Sequence, residues 1–313
     1  MIDLSGWPAL VLCAGIATRL RPLSNVRAKA AVPVAGRPLI SRILQWLSQA
    51  GVRRVVINLH HRPETVTHIV GDGSSWNLSV RYSWEPVVLG SAGGPKRALP
   101  LLDSDRFLIV NGDTLTDCNL QALVDQHLAT QPLVTMAVIE KDVERVALVD
   151  ADGVVLGFGS RSQQPIAARA ADPWHFIGVQ AADVKAFDSV PENVFCETVK
   201  ELYPRLIAEQ VGSVRAFRSS AEFLDIGTPA DYLSTVDIVA GREGKALDIG
   251  HDTQIDPSAR VVHSILWDNV RVSARARLVD CIVADNVFIP EDSQYARSTI
   301  VSDGDRTSVR PFG

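Results

Sequence analysis

Apolar positions fall along the chain in two alternating rhythms. Ala9-Leu10-Val11-Leu12-Cys13-Ala14 is an unbroken apolar run that stops at Gly15, the pattern of a strand buried on both faces. From Pro38 to Ala50 the residues Leu39, Ile43, Trp46 and Leu47 recur at helical spacing, with proline in the first turn and Gly51 just past the end. Val55-Val56-Ile57-Asn58-Leu59 predicts a second strand. The alternation continues through a helix over 63–70, a strand over 79–83, a helix over 92–102 and the strand Phe107-Leu108-Ile109-Val110, which leads into Asn111-Gly112-Asp113. This β-α-β-α order predicts an α/β fold, a Rossmann-like and mainly parallel sheet flanked by helices, with its ligand beyond the carboxyl ends of the strands.

After residue 243 the helical spacing disappears. Ser264-Ile265-Leu266-Trp267-Asp268-Asn269-Val270-Arg271-Val272 is echoed 17 positions later by Cys281-Ile282-Val283-Ala284-Asp285-Asn286-Val287-Phe288-Ile289. Ile255 pairs with Val272, Val261 with Leu278, Leu278 with Tyr295 and Val283 with Ile300 at the same offset. Within one period the aliphatic residues recur six apart, as in Ile255 and Val261, which predicts a short left-handed β-helix of hexapeptide-like rungs. The chain therefore reads as two domains, 1–243 and 244–313, with Gly241-Arg242-Glu243-Gly244-Lys245 as the linker. A short coil leaves an apolar end and open edges, so Leu266, Trp267, Phe288 and Tyr295 predict a homo-oligomer joined through the C-terminal domain.

Composition narrows the class. At 313 residues, 46% hydrophobic and 21% charged, the chain can bury a large core, which excludes disordered and collagen-like classes. The apolar stretch Trp7 to Ala17 is broken by Pro8 and Gly15 and is too short to span a bilayer, and residues 1–5 lack the basic start of a secretory signal. Cys13, Cys118, Cys196 and Cys281 are too far apart in sequence for a C-x-x-C motif, and the expected compartment is the cytoplasm. Charge is unevenly spread: residues 1–63 carry +8 and the remainder −13. An acidic protein with one basic stretch is a poor general binder of nucleic acid, so the basic excess points to a small polyanion.

The loop after the first strand, Gly15-Ile16-Ala17-Thr18-Arg19-Leu20-Arg21-Pro22-Leu23, offers backbone N–H groups and two guanidinium forks where a phosphate could approach. Lys29 and the run Val32-Pro33-Val34-Ala35-Gly36-Arg37-Pro38 follow it. Together they resemble the signature of the sugar-1-phosphate nucleotidyltransferases. Leu89-Gly90-Ser91-Ala92-Gly93-Gly94, Val110-Asn111-Gly112-Asp113, Phe176-Ile177-Gly178-Val179 and Phe223-Leu224-Asp225-Ile226-Gly227-Thr228-Pro229 are similar to that family's further motifs and occur in its order. The resemblance covers most of residues 9–235.

What the resemblance implies is a Mg²⁺-dependent transfer of a nucleotidyl group from an NTP to a sugar 1-phosphate, releasing pyrophosphate. It implies Asp113 and Asp225 as metal ligands, Arg19 and Lys29 as catalytic cations, and Ala14, Gly15, Thr18, Gly93 and Gly112 as nucleotide contacts. Gly178, Arg161 and Glu197 fall on the sugar-phosphate side. Physical reasoning agrees on the metal, since two strand-end carboxylates beside phosphates call for a hard cation. Glu85, just before the glycine turn, has the acceptor pair that guanine's N1–H and N2 amine require, which favours GTP, and the resemblance, which is to mannose-1-phosphate guanylyltransferases first, implies a mannose-1-phosphate-like acceptor. His60, His61 and Trp84 read as ordinary strand-end and loop residues.

Several positions depart from the pattern. Ala17 replaces the second loop glycine, Ala28 and Ala30 replace prolines beside Lys29, and Arg145-Val146-Ala147 and Ser160-Arg161-Ser162 replace acceptor-side motifs. Asn58-Leu59-His60-His61, Val70-Gly71-Asp72-Gly73-Ser74 and Ala98-Leu99-Pro100-Leu101-Leu102 resemble uridylyltransferases acting on N-acetylmuramate 1-phosphate, the alternative reading. A non-catalytic subunit that binds nucleotide sugars is the alternative of another class. An NAD-binding Rossmann enzyme is disfavoured by the missing G-x-G-x-x-G and by the absence of any acid between Asp3 and Glu64.

Overall fold

A computed structural model describes residues 3–160, 171–245, 248–304 and 306–312. By packing, the chain forms two compact units, each gathered from several stretches: Met1–Gly15, Ile43–His60 and Val70–Phe223 in the first, Ile16–Arg42, His61–Ile69 and Leu224–Gly313 in the second.

The first unit is built on a nine-stranded sheet. Its strands are β1 (Ala9–Leu12), β2 (Arg54–Leu59), β3 (Ser79–Trp84), β4 (Arg106–Asn111), β5 (Val134–Ile139), β6 (Arg145–Val149), β7 (Val155–Ser160), β8 (Asp172–Asp183) and β9 (Val214–Arg218). The helices of the chain are α1 (Leu39–Gln49), α2 (Pro63–Val70), α3 (Gly90–Leu102), α4 (Leu120–Thr130), α5 (Tyr203–Glu209) and α6 (Pro229–Arg242). Strands β3, β2, β1 and β4 lie side by side and parallel, as the alternating pattern predicts. The sheet becomes mixed at β8, which runs antiparallel to β4, β5 and β6. This long strand serves two neighbourhoods because its register against β5 shifts between Phe176 and Gln180. Helix α3 packs on β1, β2 and β3, and α4 on β5 and β8. The core beneath them joins Leu10, Val56, Ala92, Phe107, Ile109, Met136, Phe187 and Tyr203. No helix among the described residues is long and apolar enough to cross a membrane.

In the second unit the 17-residue echo becomes backbone pairing. Ile265 aligns with Ile282, Gln254 with Arg271 and then Phe288, and Arg260 with Arg277 and then Gln294, giving three narrow parallel sheets, one per side of the coil. Corners recur at the same offset: Asp252, Asn269 and Asn286 all have positive φ, as do His263, Asp280 and Arg297. Asparagine and aspartate tolerate this conformation best, so the repeat is written in turn chemistry as well as in aliphatic positions. The interior stacks Leu266, Val272, Leu278, Val283, Ile289 and Ile300. Ser298–Asp303 then pairs antiparallel with Arg306–Pro311.

Two expectations are corrected here. Leu266 and Trp267 are 1% and 0% exposed, so they fill the interior of their own unit and offer nothing to a second copy, whereas Phe288 is exposed. The two-glycine stretch read as a linker begins inside α6. That helix starts at a capping box, in which Thr228 Oγ1 accepts the Asp231 N–H at 3.2 Å and Asp231 accepts the Thr228 N–H at 2.9 Å, and burial of Val236, Val239 and Ala240 carries it through Gly241 to Arg242.

Candidate active site

In the first unit the carboxyl ends of neighbouring parallel strands are tied by one chain of hydrogen bonds. The Cys13 N–H, just past β1, donates to Asn58 Oδ1 at the end of β2 at 2.8 Å. Asn58 Nδ2 donates to Glu85 Oε1 at 2.7 Å, and the Leu89 N–H donates to Glu85 Oε2 at 2.9 Å. Glu85 is 3% exposed, and burial raises its pKa against the lowering effect of those donors. Both carboxylate oxygens are spent on the protein. Glu85 thus braces the glycine turn that follows it.

That turn faces protein as well. Ala92 and Gly93 donate their N–H groups to the Cys196 carbonyl at 2.9 and 3.2 Å. A Cβ on Gly93 would lie 2.5 Å from the Val194 carbonyl oxygen, and one on Gly90, at φ +78°, 2.5 Å from that of Cys196. Gly93 thus packs closely on residues 194–196, and its amide bonds the Cys196 carbonyl.

The segment Asn111-Gly112-Asp113 continues from β4. The Gly112 N–H donates to the Leu12 carbonyl at 2.9 Å, and a Cβ there would collide with Cys13 Sγ and stand 2.7 Å from the Leu12 oxygen. Glycine lets the β4 end press on the β1 end and sets Asp113 near Cys13. Burial, with the Asp113 charge adding, pushes the Cys13 thiol far above its usual range. Ala14 is buried and Gly15 exposed. Gly178 sits at the irregular stretch of β8 with φ +79°, and a Cβ would approach Asn111 Nδ2 to 2.5 Å. The structure therefore brings Gly178 against the asparagine two places before Asp113. Glu197 forms a local ion pair with Lys200 at 2.6 Å, and its N–H is accepted by Glu201 at 2.9 Å. Arg161 lies outside the described residues.

The second unit holds the basic loop. Thr18 and Arg19 are exposed in a single 3₁₀ turn whose N-cap, Ala17, takes the left-handed conformation at φ 52° and ψ 49°. Lys29 lies in another such turn, and its Nζ is 3.6 Å from Asp225 Oδ1. A Cβ on Gly227 would meet Asp225 Oδ2 at 2.7 Å and Arg19 Nη2 at 3.2 Å. Arg19, Lys29 and the carboxylate Asp225 are thus assembled in one unit, with Asp225 and Arg19 packed about Gly227. His61 bonds the Ser24 carbonyl and His60 that of Glu85, as expected of ordinary strand-end residues.

Among the described residues no three of His, Cys, Asp and Glu gather as a metal cluster. Mg²⁺ commonly takes only one or two protein carboxylates and completes its shell with phosphate and water, and the carboxylate of Asp113 in the first unit, like that of Asp225 in the second, is a hard oxygen donor of the kind it takes. Motif reading gave no role of their own to Asn58, Asn111 and Arg27. Arg27 binds Asp268 and Asp285, and the one available signal was that these aspartates sit 17 apart, at equivalent positions of the repeat.

A family model described as nucleotidyl transferase matches residues 8–155. The chain is 26% identical over 298 residues to a mannose-1-phosphate guanylyltransferase of Mycobacterium tuberculosis, covering 85% of this chain and 81% of that one. It is 44% identical over 115 residues to an N-acetylmuramate alpha-1-phosphate uridylyltransferase of Neisseria meningitidis, covering 36% of this chain and half of that protein. The crystal structure of HddC from Yersinia pseudotuberculosis superposes with a TM-score of 0.63 at 22% identity, covering 74% of this chain and 99% of that one, a likeness of fold.

Proposed function

Because the chain belongs to the sugar-1-phosphate nucleotidyltransferases, we propose that it is a uridylyltransferase joining UTP to the 1-phosphate of an amino sugar with the help of Mg²⁺. The reaction is in-line attack by a sugar-phosphate oxygen on the α-phosphorus of the NTP, forming a new P–O bond as the bond to pyrophosphate breaks. A phosphate monoester is ionised near neutral pH, so no side chain has to remove a proton. Negative charge moves onto the departing pyrophosphate, and Arg19 and Lys29 are the proposed groups that receive it. Asp225 orients Lys29 across their 3.6 Å pair. Asp113 and Asp225 are the proposed ligands of Mg²⁺, which when bound neutralises phosphate charge. Gly15 and Thr18 are proposed to line the phosphates, and Gly178 the sugar.

The observation that supports the choice of UTP is the engagement of Glu85 by Asn58 and Leu89, which on this reading holds it to the protein and away from a guanine base. The 44% identity to a uridylyltransferase supports it. Guanylyl transfer to mannose 1-phosphate is the second reading, favoured by the alignment that covers 85% of the chain. Initial rates with UTP and GTP, each paired with N-acetylmuramate 1-phosphate and mannose 1-phosphate, separate them. UTP with the amino sugar is expected to be faster by about tenfold or more; faster turnover of GTP with mannose 1-phosphate would install the second reading.

We place the enzyme in the cytoplasm, a proposal supported by four cysteines that are all buried thiols. Self-association through the coils is proposed on exposed Phe288, and light scattering on the full chain decides it, a monodisperse monomer being the contrary result. The division of labour between residues 1–243 and 244–313 is likewise proposed.

A further inference from the structure

Lys29 lies in a 3₁₀ turn of three residues, an element with little stability of its own. Its position is set by what fastens the chain on either side. Before it, Arg27 donates from Nε to Asp285 Oδ2 at 2.7 Å and from Nη2 to Asp285 Oδ1 at 2.6 Å and Asp268 Oδ2 at 2.5 Å. The same guanidinium lies over the Trp267 ring, 5.2 Å from its centroid. After it, the Pro33 carbonyl accepts from the Tyr232 hydroxyl at 2.5 Å, and that hydroxyl in turn accepts from Trp267 Nε1 at 3.1 Å. Trp267, fully buried on the coil, thus touches both anchors.

The coil builds the receiving site from its repeat. Asp268 and Asp285 occupy equivalent positions of successive turns, where each accepts a backbone N–H from the preceding turn: His251 to Asp268 at 2.8 Å, and Asp268 to Asp285 at 3.0 Å. Stacking holds two carboxylates side by side in a half-buried place, and Arg27 bridges both through its planar fork, one positive charge against two negative. Removing one partner would leave charge uncompensated, so the clamp has one favoured geometry.

We propose that Arg27, Asp268 and Asp285 form a positioning clamp through which the C-terminal coils hold Lys29 in register for the departing pyrophosphate. The coil is then a working part of the catalytic apparatus. This rests on the reading of Lys29 as a pyrophosphate-binding group.

The test uses the full chain in five forms: wild type, Arg27→Gln, Arg27→Lys, the double variant Asp268→Asn with Asp285→Asn, and that double variant combined with Arg27→Gln. Amide exchange over residues 28–34 and steady-state constants are measured well below each protein's melting temperature. Arg27→Gln and the aspartate pair are each expected to lower kcat roughly 10- to 100-fold with KM for the sugar phosphate changed less than about twofold. They are also expected to speed exchange over 28–34 while leaving amides 277–284 protected, and combining them should do no further harm. Arg27→Lys, which keeps the charge, recovers part of both signals. Folded variants with wild-type kcat and exchange overturn the clamp, as does a loss of protection shared by 277–284, the mark of general loosening. A wild type inert with every NTP overturns the reading of Lys29 and takes this inference with it, so the two failures are told apart by wild-type activity.

Discussion

Asn58 donates to Glu85 across 2.7 Å while its own carbonyl oxygen accepts the Cys13 N–H at 2.8 Å, so the ends of β1 and β2 and the turn after β3 share one polar chain. The Asn58 amide cannot flip without setting a donor against a donor, and this fixes what Glu85 must be.

Glu85→Gln places an amide where two acceptors are needed, leaving either Asn58 Nδ2 or the Leu89 N–H without one. Chemical denaturation is expected to show a loss of about 1–3 kcal/mol. The ratio of UTP to GTP turnover should stay as in wild type. A selective loss of GTP turnover would instead make Glu85 the reader of the base.

Gly178→Ala meets two obstacles at once, a φ of +79° and Asn111 Nδ2 2.5 Å from the new methyl. The expected cost is about 2 kcal/mol or more in unfolding experiments, together with a fall in kcat, because Asn111 leads directly to Asp113. A variant of unchanged stability and rate would show that β8 accommodates a side chain here.

Ala17→Gly works in the opposite direction. Alanine at φ 52° is strained, and glycine relieves that strain at some cost in unfolded-chain entropy. A net gain of roughly 0.5–1 kcal/mol is expected, read as a raised melting temperature. A lowered one would mean that the Ala17 methyl makes contacts worth more than the strain.

His127 gives the protein an acid-sensitive core. It is 2% exposed, pairs with Thr135 Oγ1 at 2.9 Å and meets the Trp7 ring edge-on, and burial, with Arg106 adding, pushes its pKa down from 6.5 to about 4. Between those values the unfolded chain holds a proton here that the folded one lacks. Stability therefore falls as pH drops from 6.5 to 4, by on the order of 2–3 kcal/mol from this residue. Denaturation at pH 7 and 4.5 should show a larger loss in wild type than in His127→Gln; equal losses would remove His127 as the cause.

The parts of the fold that were legible in the sequence are those written in side-chain periodicity. Buried strands such as Ala9–Leu12 and Arg54–Leu59 appear as apolar runs, and the coil shows itself because stacked turns repeat the same side chains, Ile265 under Ile282 and Val283 under Ile300. What residue type cannot convey is the partner. Nothing in the residue type tells that the Val194 carbonyl lies against Gly93 or that Asn111 lies against Gly178. Arg27 finds its carboxylates 241 and 258 positions away, a distance no local motif spans.

The most direct test of the central claim is pyrophosphate release by the purified protein with Mg²⁺, an NTP and a sugar 1-phosphate, measured beside Asp113→Asn. The expected result is stoichiometric formation of pyrophosphate and nucleotide sugar from UTP and an amino-sugar 1-phosphate, with the rate falling at least about a hundredfold in the variant. No pyrophosphate from any pairing of the four NTPs with amino-sugar, mannose and glucose 1-phosphates, or a rate indifferent to Asp113, would contradict the account.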